Sequence, residues 1–99
     1  MHYLIIAHDG SDEKALERRL AAREKHLASM SKLISEKKAL YGAALIDDTG
    51  AMKGSILIMD FPSQDDLEHY LATEPYITGK VWQQVEVKPC KVPEIFLTK

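Results

Sequence analysis

Cysteine is nearly absent from this chain of 99 residues, and the single Cys90 cannot form an internal disulfide. It lies between Pro89 and Lys91 with no histidine or second cysteine nearby, so a passive thiol on a strand is expected there. No His-x-x-x-His or Cys-x-x-Cys spacing occurs, and no metal site is expected. The five glycines are scattered and form neither a phosphate loop nor a dinucleotide fingerprint, so no cofactor is expected either. A Gly-x-Ser-x-Gly elbow is missing too, which argues against a serine nucleophile. Basic charge is not in surplus: the net charge is −2, unsuited to a nucleic-acid partner. No apolar run approaches the roughly 20 residues of a membrane helix. The first residues form an apolar strand pattern with no basic segment before it, and the expected location is the cytoplasm.

What is present is the composition of one folded domain over residues 1–99, with 45% hydrophobic and 28% charged residues. Tyr3 to His8 is a continuous strand-forming run that ends in the turn cluster Asp9-Gly10-Ser11-Asp12, as a central strand covered on both faces would. Glu13 to about Lys37 lacks both proline and glycine. Its Leu16, Leu20, Leu27, Met30 and Ile34 recur at helical steps, which predicts a helix presenting that stripe to a sheet, with Ser11 or Asp12 as its cap. Ala39–Ile46 and Met52–Phe61 flank Asp47-Asp48-Thr49-Gly50 and read as a hairpin. Ser63 caps a short second helix through Leu67, Tyr70 and Leu71, which Glu74-Pro75 breaks. Val81 to Val92 alternates as a final strand, with Trp82 on the side of Gln84, Glu86 and Lys88. The apolar tail Pro93–Leu97 is read as an added edge strand or a segment lying across a partner.

The order β-α-β-β-α-β is the ferredoxin-like arrangement: α+β, a four-stranded antiparallel sheet with two helices on one face. The other face carries Ile6, Ile56 and Ile58 and would stay wet in a monomer. A second copy packing there, as a homodimer or higher homo-oligomer, is expected.

Four segments then resemble one family. Arg19-x-x-x-Arg23-x-x-His26-Leu27 resembles the helix-one signature of YciI-like proteins, and Gly54-Ser55 resembles their third element. Glu74-Pro75-Tyr76 resembles their Asp-Pro-Tyr turn, and Val85-x-Val87-Lys88-Pro89 their closing strand. The resemblance covers most of the chain in order. It implies a dimeric α+β barrel and an active site pairing His26 with the carboxylate of Glu74. One characterised branch of the family eliminates chloride from a chlorinated hydroxyhydroquinone. Two departures stand out: Glu74 replaces the family's Asp, one carbon longer, and Gly42-Ala43 replaces a frequent Gly-Pro.

From the residues themselves, Arg19, Arg23 and His26 stand at steps of four and three and share one helix face. Two guanidiniums beside an imidazole form a receptor for a small carboxylate, enolate or phenolate. His26 is then the proton-moving group and Glu74 its orienter. The plainer reading keeps His26 as a half-buried helix residue and pairs both arginines with glutamates on the surface or across the dimer. Tyr76 either donates its phenol to a ligand or fills space between helix and sheet, and Ser55 is positioned to contact a ligand oxygen. Two functions remain open: a cofactor-independent, lyase- or isomerase-like enzyme acting on an anionic oxygenated small molecule, and a non-catalytic anion-binding or assembly module.

Overall fold

Strand-forming residues at the start of the chain, interrupted only by turn clusters, lead directly to a central strand in the computed structural model, which describes residues 1–97. The elements run β1 (His2–Asp9), α1 (Ala15–Ser35), β2 (Ala39–Ile46), β3 (Met52–Asp60), α2 (Gln64–Thr73), α3 (Pro75–Thr78) and β4 (Trp82–Cys90), followed by a single 3₁₀ turn at Glu94–Phe96. The sheet is antiparallel in the order β2-β3-β1-β4, the expected α+β, ferredoxin-like topology. Tyr3, Ile5 and Ala7 of β1 and Leu57 and Met59 of β3 point to one side and are buried. Beneath the helices they join Phe61, Leu67, Tyr70 and Tyr76 in the core.

Three helices, not two, cover that side. Glu74 ends α2 in extended geometry, and its side chain accepts the Tyr76 backbone N–H. With Pro75 at the first position, the chain restarts at once as the one-turn α3. Ser63 caps α2 as expected, accepting from Asp66 N at 3.2 Å. The expected cap of α1 is not used. The helix begins at Ala15 behind Lys14, while the Asp12 carboxylate accepts the Lys14 N–H at 3.3 Å and grips the two terminal guanidinium nitrogens of Arg18 at 2.7 and 2.8 Å.

Two further expectations change. The leucine stripe of α1 is mostly outside: Leu20, Leu27 and Ile34 are 54%, 50% and 61% exposed. The helix instead turns Ala15, Arg19, His26 and Met30 inward. A bulge between His8 and Asp9 pairs Asp9 with Trp82 and His8 with Gln84. This extra residue puts Trp82 on the helix side with Asp9, not with the polar residues of β4. The tail does not add a strand. Its turn lies against the sheet, where Tyr41 Oη donates to the Phe96 carbonyl and Leu4 and Ile58 line the same recess. On this face away from the helices Leu4, Ile6, Ile56 and Ile58 are half-buried.

Lys37 ends α1 in the left-handed region at φ 61°. Lys37 N and Lys38 N bond to the carbonyls of Ile34 and Leu33, the paired pattern that glycine usually serves. The Cβ of a lysine is a cost there. Lys37→Gly should therefore stabilise the fold by about 1 kcal/mol, seen as a higher urea midpoint at unchanged slope.

Candidate functional site

The inward turn of α1 carries charge into the core, and each buried polar group is met by a partner from another element. Arg19, His26, Ser55 and Glu74 are all buried. His26 Nδ1 lies 2.6 Å from Glu74 Oε1, and the Glu74 side chain has no exposed surface. The same oxygen accepts the Tyr76 N–H at 3.1 Å. The other oxygen, Oε2, accepts a short hydrogen bond from Tyr70 Oη. Burial, with the Glu74 charge adding to it, pushes the Tyr70 hydroxyl far above its usual range, so Tyr70 donates its proton and does not lose it.

The imidazole is clamped by rings as well. Tyr76 stacks on it with centroids 3.9 Å apart and planes within 12°, and Trp82 meets it edge-on at 6.2 Å. An ionised carboxylate only accepts hydrogen bonds, so with Glu74 on Nδ1 the neutral ring keeps its proton on Nδ1 and leaves the Nε2 lone pair free. Among the described residues Nε2 has no hydrogen-bond partner. Arg19 Nε is the side-chain atom there that is both buried and unpartnered, so Nε2 reaches open space. That space is a cavity of about 370 Å³ between α1 and β2, lined also by Arg23, Ser55 and Tyr76.

The two arginines separate. Arg19 Nη1 bonds both oxygens of Asp9 at 3.1 Å, and its Nη2 donates to Ser55 Oγ at 3.0 Å. Trp82 Nε1 donates to the same hydroxyl at 3.2 Å. The guanidinium lies 4.8 Å from the Tyr76 ring centre, a cation–π contact. Arg19 is thus neutralised by Asp9, whose side chain is 2% exposed, and not by a surface glutamate. Arg23 is exposed at the cavity's rim and makes no ion pair among the described residues. Burial raises the Tyr76 hydroxyl above its usual range, opposed by the charges of Arg19 and Arg23.

All six residues expected at the site, His26, Glu74, Arg19, Arg23, Ser55 and Tyr76, therefore gather around one cavity or its immediate support. Three neighbours are not signalled by the motifs. Tyr70 stands one helical turn before Glu74, the spacing at which side chains meet. Asp9 looks like part of a solvated turn until the helix rotation is known, and Trp82 depends on the bulge. No group of three or more His, Cys, Asp or Glu side chains among the described residues is arranged to hold a metal.

Known proteins agree with this architecture. Residues 1–91 match the YCII-related domain. An uncharacterised protein of Haemophilus influenzae is 35% identical over 97 residues, covering 92% of this chain and 97% of that one. The protein YciI of Escherichia coli is 34% identical with the same coverage. Among solved structures, a 5-chloro-2-hydroxyhydroquinone dehydrochlorinase of Burkholderia phenoliruptrix, in complex with 2,5-dihydroxybenzoquinone, superposes with a TM-score of 0.80. It is 24% identical, over 96% of this chain and 98% of that one. An antibiotic biosynthesis monooxygenase superposes with a TM-score of 0.57 at 18% identity, over 94% of this chain and 100% of that one. These structures share the fold.

The hydrogen-bond pattern around Glu74 fixes one measurable property of the ring. Nitrogen NMR of the neutral His26 side chain should show Nδ1 protonated and Nε2 bare. A ring protonated on Nε2 would mean that Glu74 does not accept from it. Glu74→Ala would strand the Tyr70 hydroxyl, the Tyr76 amide and the imidazole at once, and should cost about 3–5 kcal/mol of stability in urea titrations.

Proposed function

This chain belongs to the YCII-related domain family, and on that premise we propose that it is a cofactor-independent, lyase- or isomerase-like enzyme in which His26 moves a proton on an anionic, oxygenated small molecule. The observation that carries this reading is the buried His26–Glu74 pair at 2.6 Å, with the opposite ring nitrogen open to a cavity. A ring that merely filled the core would have no need of a carboxylate behind it and free space before it.

In this reading a substrate carbonyl is held at the rim by Arg23, with Tyr76 beside it. Arg19 and Ser55 set the polar end of the cavity. His26 Nε2 takes a proton from the carbon next to the carbonyl. The C–H electron pair moves to form the carbon–carbon double bond, and the carbonyl π pair moves to oxygen. The resulting enolate faces the Arg23 charge. Collapse of the enolate either returns the proton to a different carbon, an isomerisation, or expels a leaving group with its electron pair, an elimination. Glu74 faces the imidazolium while it exists and keeps the ring in one orientation. The dehydrochlorinase among the structural relatives names one reaction of the second kind.

The half-buried isoleucines on the sheet's open face support a homodimer built by packing two such faces. Sedimentation should give twice the mass of one chain. Ile56→Lys, at the centre of that face between Ile6 and Ala43, should return the monomer.

Proton abstraction can be read before the natural substrate is known. In deuterated water the protein should exchange the hydrogens next to the carbonyl of small oxo acids and diones, followed by NMR. His26→Gln should slow that exchange by a factor of about 10² to 10⁴, and Arg23→Gln should mainly weaken binding. Exchange that survives in His26→Gln at the wild-type rate would refute the assignment of His26 as the base.

A further inference from the structure

The cavity is larger than the polar site at its end, and its long axis is apolar. His26 and Ile34 lie eight residues apart on α1, about 12 Å along the helix. Beyond His26 that wall continues as Leu27, Met30 and Ile34. The opposite wall is β2, whose helix-facing positions are unusually small. Ala44 pairs with Ser55 at the polar end, Gly42 with Leu57 midway, and Ala39 with Met59 at the far end. A leucine or valine at position 42 or 44 would close the space. Small side chains instead leave a groove of about 370 Å³, within the range of small-molecule sites.

The groove thus has two chemically different ends. One holds the unpartnered Nε2 of a 7%-exposed histidine and the free charge of Arg23. The other is lined mainly by apolar side chains, including Leu27 and Ile34, which are half or more exposed. A carboxylate or enolate alone would fill the first end and leave the second wet.

We infer that the ligand is an acid with a flexible apolar tail, a medium-chain oxo acid or its enol, seated with its oxygens at Arg23 and His26 and its tail along Met30 and Ile34. For its head group the inference rests on the proton-transfer reading above. The tail is carried independently by the shape and lining of the groove. A compact ring acid would leave the outer half of the groove unoccupied, so chain length becomes the specificity determinant, discriminated by burial of methylene groups.

The test is a titration of the isotope-labelled full-length protein with straight-chain 2-oxo acids from pyruvate to 2-oxooctanoate, followed by NMR. The dissociation constant should fall by about fourfold for each added methylene until the groove is full, with shifts spreading from His26 toward Ile34 as the chain lengthens. Gly42→Val should flatten this dependence by filling the middle of the groove. Its new Cβ would meet the tip of Leu57 at 3.0 Å and the Ile56 carbonyl oxygen at an ordinary 3.9 Å. Ile34→Gln, a surface change that folding tolerates, should flatten it by removing the far wall. A dissociation constant independent of length, or a length dependence untouched in both variants, would overturn the inference. Movement of the His26 ring signals without any length dependence would keep the proton-transfer reading and remove the tail. Length dependence without movement of those signals would do the reverse.

Discussion

A carboxylate with no exposed surface has to be satisfied from inside the protein, and most of this fold is arranged to do that for Glu74. Its two oxygens draw one donor from α1, one from the end of α2 and one from the backbone of α3. Leaving such a group unpaired would cost several kcal/mol, comparable with the whole stability of a small domain. The rotation of α1 follows from the same demand. His26 can reach Glu74 only if the helix turns its polar residues inward, and then Arg19 is buried as well and needs Asp9. The Arg19–Asp9 ion pair is thus a consequence of the His26–Glu74 contact.

This explains which parts could be seen in the sequence. The order of the elements and the hairpin were visible because turn residues and alternation are local signals. His26, Arg19, Arg23 and Glu74 were visible through their spacing and the family resemblance. The face of α1 was not. The leucines at positions 16, 20, 27 and 34 make the best apolar stripe, and hydrophobic periodicity selects it. Satisfaction of buried charge outweighs that periodicity here, a tertiary term that no window of sequence contains. Trp82 was hidden for a related reason, since one bulged residue reverses the alternation of everything beyond it.

Arg19 and Arg23 look equivalent in the sequence, one helical turn apart, and differ completely in the fold. Arg19 is compensated by Asp9, bonded to Ser55 and laid against Tyr76, so its charge belongs to the framework. Arg23 stands exposed at the cavity's rim with no ion pair among the described residues. Placing a spent cation behind an available one keeps the polar end rigid while its rim stays adjustable, and the weak requirement for bulk on β2 leaves the groove's length open to change by single substitutions.

Trp82 is the chain's one tryptophan, and it lies edge-on to the imidazole with its indole nitrogen tied to Ser55. Its emission therefore comes from a single place, in contact with the group assigned to move the proton and with the hydroxyl beside the buried arginine. The protein carries its own optical reporter, and occupancy of the pocket can be watched in unlabelled material without any knowledge of the ligand's identity beforehand.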